Sequence, residues 1–211
     1  MTAPGPTATR GSLRSRLRGW VEASHGGWSG WWRGLLAQAS YLAGGAATST
    51  RPDLARVQRL VFVCVGNVNR SAFAEAVARR RGARAESFGL AAPQGIEVSP
   101  RALRTAARYE IDLRAHVARD LSDYEFMPGD LVVTMEVRLL RELIERGIPS
   151  HAVGLLGRWA SPQRLHIADP HRRSDEYLKT CFTLIHSAAE GLADDLALAG
   201  SPCMKAGPGR A

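Results

Sequence analysis

The sequence predicts an α/β fold: one three-layer domain with a four-stranded parallel sheet and helices on both faces. Apolar runs rich in β-branched residues at 60–63 and 130–134 are typical of strands buried on both faces. Strong helix formers follow each run, at 72–80 and 136–146. Strands that alternate with helices pair in parallel, because each helix returns the chain across the sheet.

The first half of the domain contains two strands and two helices. After the strand at 60–63, the first helix ends where arginines precede Gly82, a typical helix stop. A second strand is predicted at 85–88. Ser99 as N-cap and Pro100 at the first helical position open a helix that continues to 109.

The second half repeats this alternation. The third strand, 130–134, precedes an amphipathic helix that ends at Gly147, and a fourth strand is predicted at 152–156. A long loop, 157–173, follows. Ser174 then caps the last helix, which has acidic residues in its first turn and runs to about residue 196.

Composition changes at both ends of this pattern, so the domain is predicted to span 57–198. Residues 1–56 are basic and rich in tryptophan, and we expect them to be partly disordered or to form one short amphipathic helix, with a linker at 48–53. Tryptophan with arginine suits peripheral contact with a membrane, or contact with a protein partner. Because the predicted domain begins after residues 1–56, we expect deletion of 1–50 to leave turnover of a small substrate nearly unchanged. Residues 199–211 are predicted to be a flexible tail. The basic and aromatic residues of the extension are Arg10, Arg14, Arg16, Arg18, Arg33, Trp20, Trp28, Trp31 and Trp32.

Composition also limits the class of protein. The chain has 211 residues, a formal charge of +8 and an apolar share of 45%, which suits a real core and anionic partners. No aromatic-interleaved basic motif predicts nucleic-acid binding. Three cysteines with no zinc spacing predict neither a disulfide framework nor a metal site, and we expect no cofactor. No run of 18 apolar residues predicts a spanning helix. A cytoplasmic protein, free or at the inner membrane surface, is expected.

The loop between the first strand and the first helix is the candidate site. It begins at Cys64 and ends at Arg70-Ser71. A loop that enters a helix N-terminus points backbone N–H groups into one concavity, where the helix dipole favours an anion and a thiolate. Arg70 adds a fork that matches two phosphate oxygens. The backbone of Val65, Gly66, Asn67, Val68, Asn69, Arg70 and Ser71 is the predicted phosphate cradle.

This loop, Cys64-Val-Gly66-Asn67-Val-Asn69-Arg70-Ser71, resembles the Cys-x-Gly-Asn-x-Cys-Arg-Ser signature of the low-molecular-weight protein tyrosine phosphatases. The resemblance extends to about residue 196 and leaves out the first 55 or so residues. It implies hydrolysis of phosphotyrosine through a phosphocysteine on Cys64. In bacteria, it also implies a tyrosine-phosphorylated protein as partner, such as a tyrosine kinase of polysaccharide export.

The resemblance assigns roles outside the loop as well. Asp169-Pro170 resembles the family's general-acid pair; from the residues alone, a structural Asp-Pro turn is the alternative. The segment that begins at His116 resembles the one whose histidine bonds the loop asparagine, here Asn67. Ser71 is expected to donate to the Cys64 thiolate, and a simple helix N-cap is the alternative.

Two departures from the family pattern leave alternatives open. His171-Arg172-Arg173 replaces the aromatic residues that usually follow Asp-Pro and grip a phosphoaryl ring, so a phosphate-binding module with weak turnover is one alternative. Asn69 replaces the second loop cysteine. A thioredoxin-coupled arsenate reductase is a further alternative, although Cys181 and Cys203 lack the close spacing of a relay pair.

Overall fold

The computed structural model describes residues 13–43 and 52–205. The predicted linker falls mostly outside these ranges, as do Arg10 and residues 206–211 of the predicted tail. Two helices precede the domain, and four strands then alternate with four helices. In chain order the elements are α1 (Leu13–His25), α2 (Trp28–Leu42), β1 (Arg59–Cys64), α3 (Arg70–Arg80), β2 (Ala85–Gly89), α4 (Pro100–Ala106), β3 (Asp130–Thr134), α5 (Val137–Glu145), β4 (Val153–Leu155) and α6 (Asp175–Leu198).

The four strands form one parallel sheet in the order β2-β1-β3-β4. This confirms the predicted fold class. The register places Cys64 beside Gly89 of β2, and Val63 beside Thr134 of β3. The carboxyl ends of β1, β2 and β3 therefore share one edge of the sheet, where open α/β sheets bind ligands.

Each face of the sheet has its own core, because side chains alternate along a strand. Leu60 and Phe62 of β1 point towards α3, α4 and α6, whereas Val61 and Val63 point towards α5. All four are fully buried. The continuous apolar run thus reflects helices on both faces, as predicted.

The N-terminal extension differs from its predicted form. Residues 13–42 contain two helices rather than one, and the pair packs on the domain: Val21 of α1 is 2% exposed and Ala37 of α2 is 5% exposed. Gly26 and Gly27, with φ of 67° and 96°, make the turn between the helices. Gly26 and Gly27 therefore separate the two helices.

The C-terminal residues also differ from the prediction of a flexible tail. Up to residue 205 they turn back onto the start of the sheet, where the Ser201 hydroxyl donates to the Val57 carbonyl at 2.6 Å. The Cys203 N–H donates to the same carbonyl at 3.0 Å, and Cys203 is fully buried. Glycine and proline here mark turns of a packed segment, which composition alone does not distinguish from a loose tail.

Within the described ranges, no helix combines the length and the apolar character needed to cross a membrane.

Of the predicted helices and strands, α4, which the sequence predicts to continue to residue 109, shows the largest change in length. It ends at Ala106 and continues to Tyr109 as a 3₁₀ turn, because Glu110 adopts left-handed backbone with φ of 58°.

Candidate active site

The Cys64 thiol lies at the base of the loop that joins β1 to α3. Cys64 is the last residue of β1 and is 3% exposed. Its Sγ is 3.0 Å from the Ser71 hydroxyl oxygen and accepts the Asn67 N–H at 3.3 Å. The first N–H groups of α3 have no intrahelical acceptor and face the same concavity. Hydrogen-bond donors of the loop therefore surround the sulfur.

Asn67 fixes the shape of the loop. Its φ of 52° is left-handed, a conformation that asparagine tolerates better than most residues. The side chain is fully buried and uses both ends: Nδ2 donates to Ser71 Oγ at 2.9 Å and to Ser87 Oγ at 2.8 Å, and Oδ1 accepts the Arg119 N–H at 2.8 Å. Ser71 Oγ thus already accepts one hydrogen bond, and its own proton lies within reach of Cys64 Sγ at 3.0 Å and of the Phe88 carbonyl oxygen at 3.5 Å.

A directed hydrogen-bond chain supports this arrangement from behind. The Ser87 hydroxyl, which accepts from Asn67, donates to Glu75 Oε2 at 2.6 Å. On the other side, His116 Nε2 lies 2.8 Å from the Asn67 carbonyl oxygen. Because a carbonyl only accepts, Nε2 must carry a proton here. The expected pairing of His116 with Asn67 therefore occurs through the Asn67 backbone carbonyl. The Asn67 side chain instead accepts a hydrogen bond from the Arg119 backbone N–H.

Arg70 is fully surrounded by protein, with 1% exposure. Its Nη1 donates to Glu136 Oε1 at 2.6 Å and to the Ile167 carbonyl at 3.0 Å. Burial alone would lower the pKa of Arg70, but Asp169, Glu136 and Cys64 together raise it above its ordinary value. Arg70 is therefore a permanent cation held in one orientation.

Asp169 meets Arg70 at the mouth of the site. Its Oδ2 lies 2.9 Å from Arg70 Nη2, and its Oδ1 accepts the His171 N–H at 3.0 Å. The Nη2 contact has an ion-pair distance without hydrogen-bond geometry, so within the described residues Nη2 donates to no acceptor. Two carboxylates thus position the guanidinium while one of its donors stays available for an anion.

The structure brings all the predicted site residues together and adds three that the sequence reasoning missed. Glu136 follows directly on β3, at the edge where ligands bind. Glu75 is a charged residue on the buried face of α3, and Ser87 is a polar residue in a buried strand. Buried polar positions in otherwise apolar elements are the sequence signal that could have identified them.

Gly89, at the end of β2, allows the loop to approach the sheet. A methyl group there would lie 2.7 Å from the Val65 carbonyl oxygen and 3.0 Å from the Asn67 nitrogen. We expect Gly89→Ala to displace the cradle and to lower kcat/KM for an aryl phosphate roughly tenfold or more, because small misplacements of reacting groups are costly. Gly154→Ala in β4 is the matched control, since a methyl group there would touch nothing closer than 3.9 Å.

Steady-state kinetics of both variants, with thermal unfolding as a check on the fold, make this comparison. If Gly89→Ala and Gly154→Ala have the same kinetics, the close approach at Gly89 does not shape the cradle.

Comparison with known proteins agrees with this geometry. The family model described as low molecular weight phosphotyrosine protein phosphatase matches residues 59–200, and the chain belongs to this family. The low molecular weight protein-tyrosine-phosphatase Wzb of Escherichia coli K12 is 34% identical over 140 residues, which are 65% of this chain and 94% of Wzb. The probable low molecular weight protein-tyrosine-phosphatase EpsP of Ralstonia nicotianae is 29% identical over 56% of this chain and 81% of EpsP.

Solved structures show the same similarity. A structure described as a protein tyrosine phosphatase shares 32% identity with a TM-score of 0.57, covering 65% of this chain and 95% of its own. Vibrio vulnificus Wzb in complex with benzylphosphonate shares 26% identity with a TM-score of 0.55, covering 65% of this chain and 98% of its own. The family match begins at residue 59, so α1 and α2 lie outside it.

Proposed function

We propose that this protein hydrolyses phosphotyrosine in proteins through a phosphocysteine formed on Cys64. The observation that carries the proposal is the position of the Cys64 sulfur, which receives hydrogen bonds from the loop at the start of α3 and lies next to the Arg70–Asp169 pair. Its relatives are named as protein-tyrosine-phosphatases, and one binds benzylphosphonate, an aromatic phosphate analogue.

In the first step, the Cys64 thiolate attacks phosphorus and the bond to the tyrosine oxygen breaks. Arg70 and the loop N–H groups hold the three equatorial oxygens, whose charge grows in the transition state. Asp169 gives its proton to the leaving phenolate. A bound phosphate dianion competes with Asp169 for the Arg70 guanidinium.

In the second step, water attacks the phosphocysteine and the phosphorus–sulfur bond breaks. Asp169 takes a proton from the water, and inorganic phosphate leaves. The sulfur departs as a thiolate, which the Ser71 hydroxyl and the Asn67 N–H stabilise at 3.0 Å and 3.3 Å. Neither step requires a metal or an organic cofactor.

The substrate we propose is a phosphotyrosine flanked by acidic residues. His171 and Arg172 are exposed beside Asp169, in the place where the family usually has aromatic residues, so charge rather than ring stacking would guide the peptide. A tyrosine-phosphorylated bacterial kinase of polysaccharide export is the proposed partner. We expect phosphotyrosine peptides to be hydrolysed at least roughly a hundredfold faster than phosphoserine peptides, whose alkoxide leaves poorly. Phosphate binding without turnover of either peptide would instead identify a phosphate-binding module.

We also propose that the protein binds anionic membranes through an N-terminal apolar face. In α1 and α2, apolar side chains recur at helical spacing on the exposed side, while the opposite side packs on the domain. Exposed arginines of the same helices outnumber Glu22, the one acidic residue among 13–43. Tryptophan, leucine and arginine together suit the headgroup region of an anionic bilayer. The face consists of Leu13, Leu17, Trp20, Trp28, Trp32, Leu35, Leu36 and Leu42.

We expect the protein to sediment with phosphatidylglycerol vesicles more strongly than with phosphatidylcholine vesicles. Trp32→Ser with Leu36→Ser should weaken this binding roughly tenfold, because both side chains, 55% and 65% exposed, lie on the N-terminal apolar face. Leu198→Ser, 86% exposed on α6, is the matched control. Equal binding to both lipids would contradict the proposal, and dimerisation abolished by the double variant would assign the face to a second copy.

Asn69, which replaces the second loop cysteine of the family, should affect how the protein responds to peroxide. Peroxide oxidises an accessible thiolate to a sulfenic acid, which a neighbouring thiol can trap as a disulfide. Burial raises the pKa of the Cys181 thiol to about 12, and Cys203 Sγ donates to the Arg84 carbonyl at the opposite edge of the sheet. Neither is a ready resolving thiol, so Cys64 should proceed to the sulfinic acid.

We therefore expect dithiothreitol to restore little activity after long exposure to peroxide. Asn69→Cys should restore recovery, because it places a thiol within the loop. Activity recovery and the mass of the Cys64 peptide measure both effects. Full recovery of the unmutated protein, or a crosslink from Cys64 to Cys181 or Cys203, would show that a resolving thiol exists.

A further inference from the structure

The α1–α2 pair contacts the loop that carries Asp169, residues 157–173, along most of its length. The contacts come from both helices and from the end of α1, and they involve side chains and backbone. From the beginning of the loop onward, the Tyr41 ring lies 5.7 Å from the Arg158 guanidinium carbon, Gln38 donates to Gln163 at 3.4 Å, and Arg164 donates to the Ser24 carbonyl.

The contact extends to Ala168, the residue before Asp169. The Ala168 carbonyl accepts the Tyr177 hydroxyl at 3.1 Å, and a methyl group built on Gly30 would lie 3.4 Å from the Ala168 side chain. Tyr177 itself packs on the helix turn, since a methyl group on Gly26 would lie 2.8 Å from its ring. The backbone of the helix pair therefore covers both Ala168 and the residue that anchors it.

The helix pair is in turn attached to the domain core. Val21 is 2% exposed against the domain, and Thr180 of α6 donates from its hydroxyl to the Ala23 carbonyl at 2.7 Å. Asp169, by contrast, has a 40% exposed side chain, and among the residues that the structure describes its carboxylate contacts Arg70 and the N–H of His171. A half-exposed acid on a long loop needs support from behind to keep one position.

We propose that the α1–α2 pair is a positioning element for Asp169, so that proton donation to the leaving group depends on its docking. This inference rests on the proposed function. It replaces the expectation from the sequence that deletion of 1–50 leaves turnover of a small substrate nearly unchanged, because the helix pair packs on the domain. A displacement of about 1 Å of a catalytic group can cost roughly a hundredfold in rate. Disturbed docking should therefore lower kcat for substrates whose leaving group needs a proton, and it should leave phosphate binding in the cradle intact.

Val21→Asp tests this in the full-length protein, because it places a charge in the contact between α1 and the domain. The matched control is Leu198→Asp, which places the same charge at a position of α6 that is 86% exposed. We expect Val21→Asp to lower kcat roughly tenfold or more for phenyl phosphate, whose leaving oxygen is basic. The rate with 2,4-dinitrophenyl phosphate should change less than about threefold, because that leaving group needs no proton.

Two further measurements make the outcome decisive. Inhibition by inorganic phosphate should be the same in Val21→Asp and the unmutated protein, which shows that the domain is folded. If Val21→Asp no longer binds inorganic phosphate, Thr180→Val is used in its place, because it removes one hydrogen bond to Ala23. It should also lower kcat more for phenyl phosphate than for 2,4-dinitrophenyl phosphate, with a smaller decrease than Val21→Asp. In an Asp169→Asn background, Val21→Asp should have no additional effect, since the acid is already absent.

Equal losses for both phosphates, no loss for either, or full additivity with Asp169→Asn would overturn the inference while leaving the proposed function in place. A failure of the proposed acid role of Asp169 would give a different kinetic result. Asp169→Asn alone, with an intact N-terminal helix pair, would then slow both phosphates equally, and this inference would fall with it.

Discussion

We expect Cys64→Ser to abolish turnover of aryl phosphates and to leave the fold unchanged. The loop N–H groups and the Ser71 hydroxyl stabilise a thiolate, whereas a serine hydroxyl in the same place stays protonated and is a poor nucleophile. Loss of the nucleophile should lower kcat by several orders of magnitude, to below about 1% of the original activity. Steady-state kinetics of the purified Cys64→Ser protein measure this loss.

Cys181→Ser is the matched control for this substitution. Cys181 is also buried and free, but it lies within α6 and contributes no group to the proposed chemistry. It should retain most of the activity. If Cys64→Ser keeps more than about 1% of its turnover, the covalent mechanism is wrong.

Asp169→Asn has the second largest expected effect, and the size of that effect depends on the leaving group. Asparagine keeps the shape of the side chain but cannot donate a proton to a departing oxygen. A general acid contributes about 10²–10⁴-fold when the leaving group is basic. We therefore expect kcat for phenyl phosphate to fall by roughly that factor, with a much smaller fall for 2,4-dinitrophenyl phosphate.

The comparison across leaving groups separates chemistry from positioning. Asp175→Asn is the control, because Asp175 is an exposed carboxylate that pairs with Arg101 at the start of α6. It should leave both rates nearly unchanged. If Asp169→Asn slows both phosphates equally, Asp169 orders the loop and the proton comes from another group.

The sequence predicted the cradle because its determinants are local. Cys64, Asn67 and Arg70 lie within one strand–loop–helix unit, where spacing alone sets their geometry. The partners of that loop are distant in sequence. Glu136 reaches Arg70 from the end of the neighbouring strand β3, 66 residues away in sequence, and no local pattern distinguishes it from other acidic residues near a helix N-terminus.

The N-terminal helices show a second limit of sequence reasoning. Their periodicity indicates an amphipathic helix, but either side of α2 could be the packed one. Small residues decide this: Gly30 and Ala37 are buried because they let the backbone approach the domain closely, whereas Trp32 and Leu36 stay exposed. A hydrophobic count favours the opposite assignment. Packing by small residues depends on a partner surface that only the fold supplies.

This extension also separates the protein from the relatives it resembles. The match to Escherichia coli Wzb covers 94% of that protein but 65% of this chain. Among the described residues before the family match, this chain adds two helices that pack against the Asp169 loop. The additional residues thus contact the domain at the loop that supplies the proposed acid.

The most direct test of the central claim is to trap the phosphorylated enzyme. Asp169→Asn should still form the intermediate from 2,4-dinitrophenyl phosphate, and it should hydrolyse the intermediate slowly because no group activates the water. Acid quenching during turnover, followed by mass spectrometry of the peptides, locates the phosphoryl group. We predict one added phosphoryl group on Cys64. Its absence during continued turnover, or its presence on any other residue, would contradict the phosphocysteine mechanism.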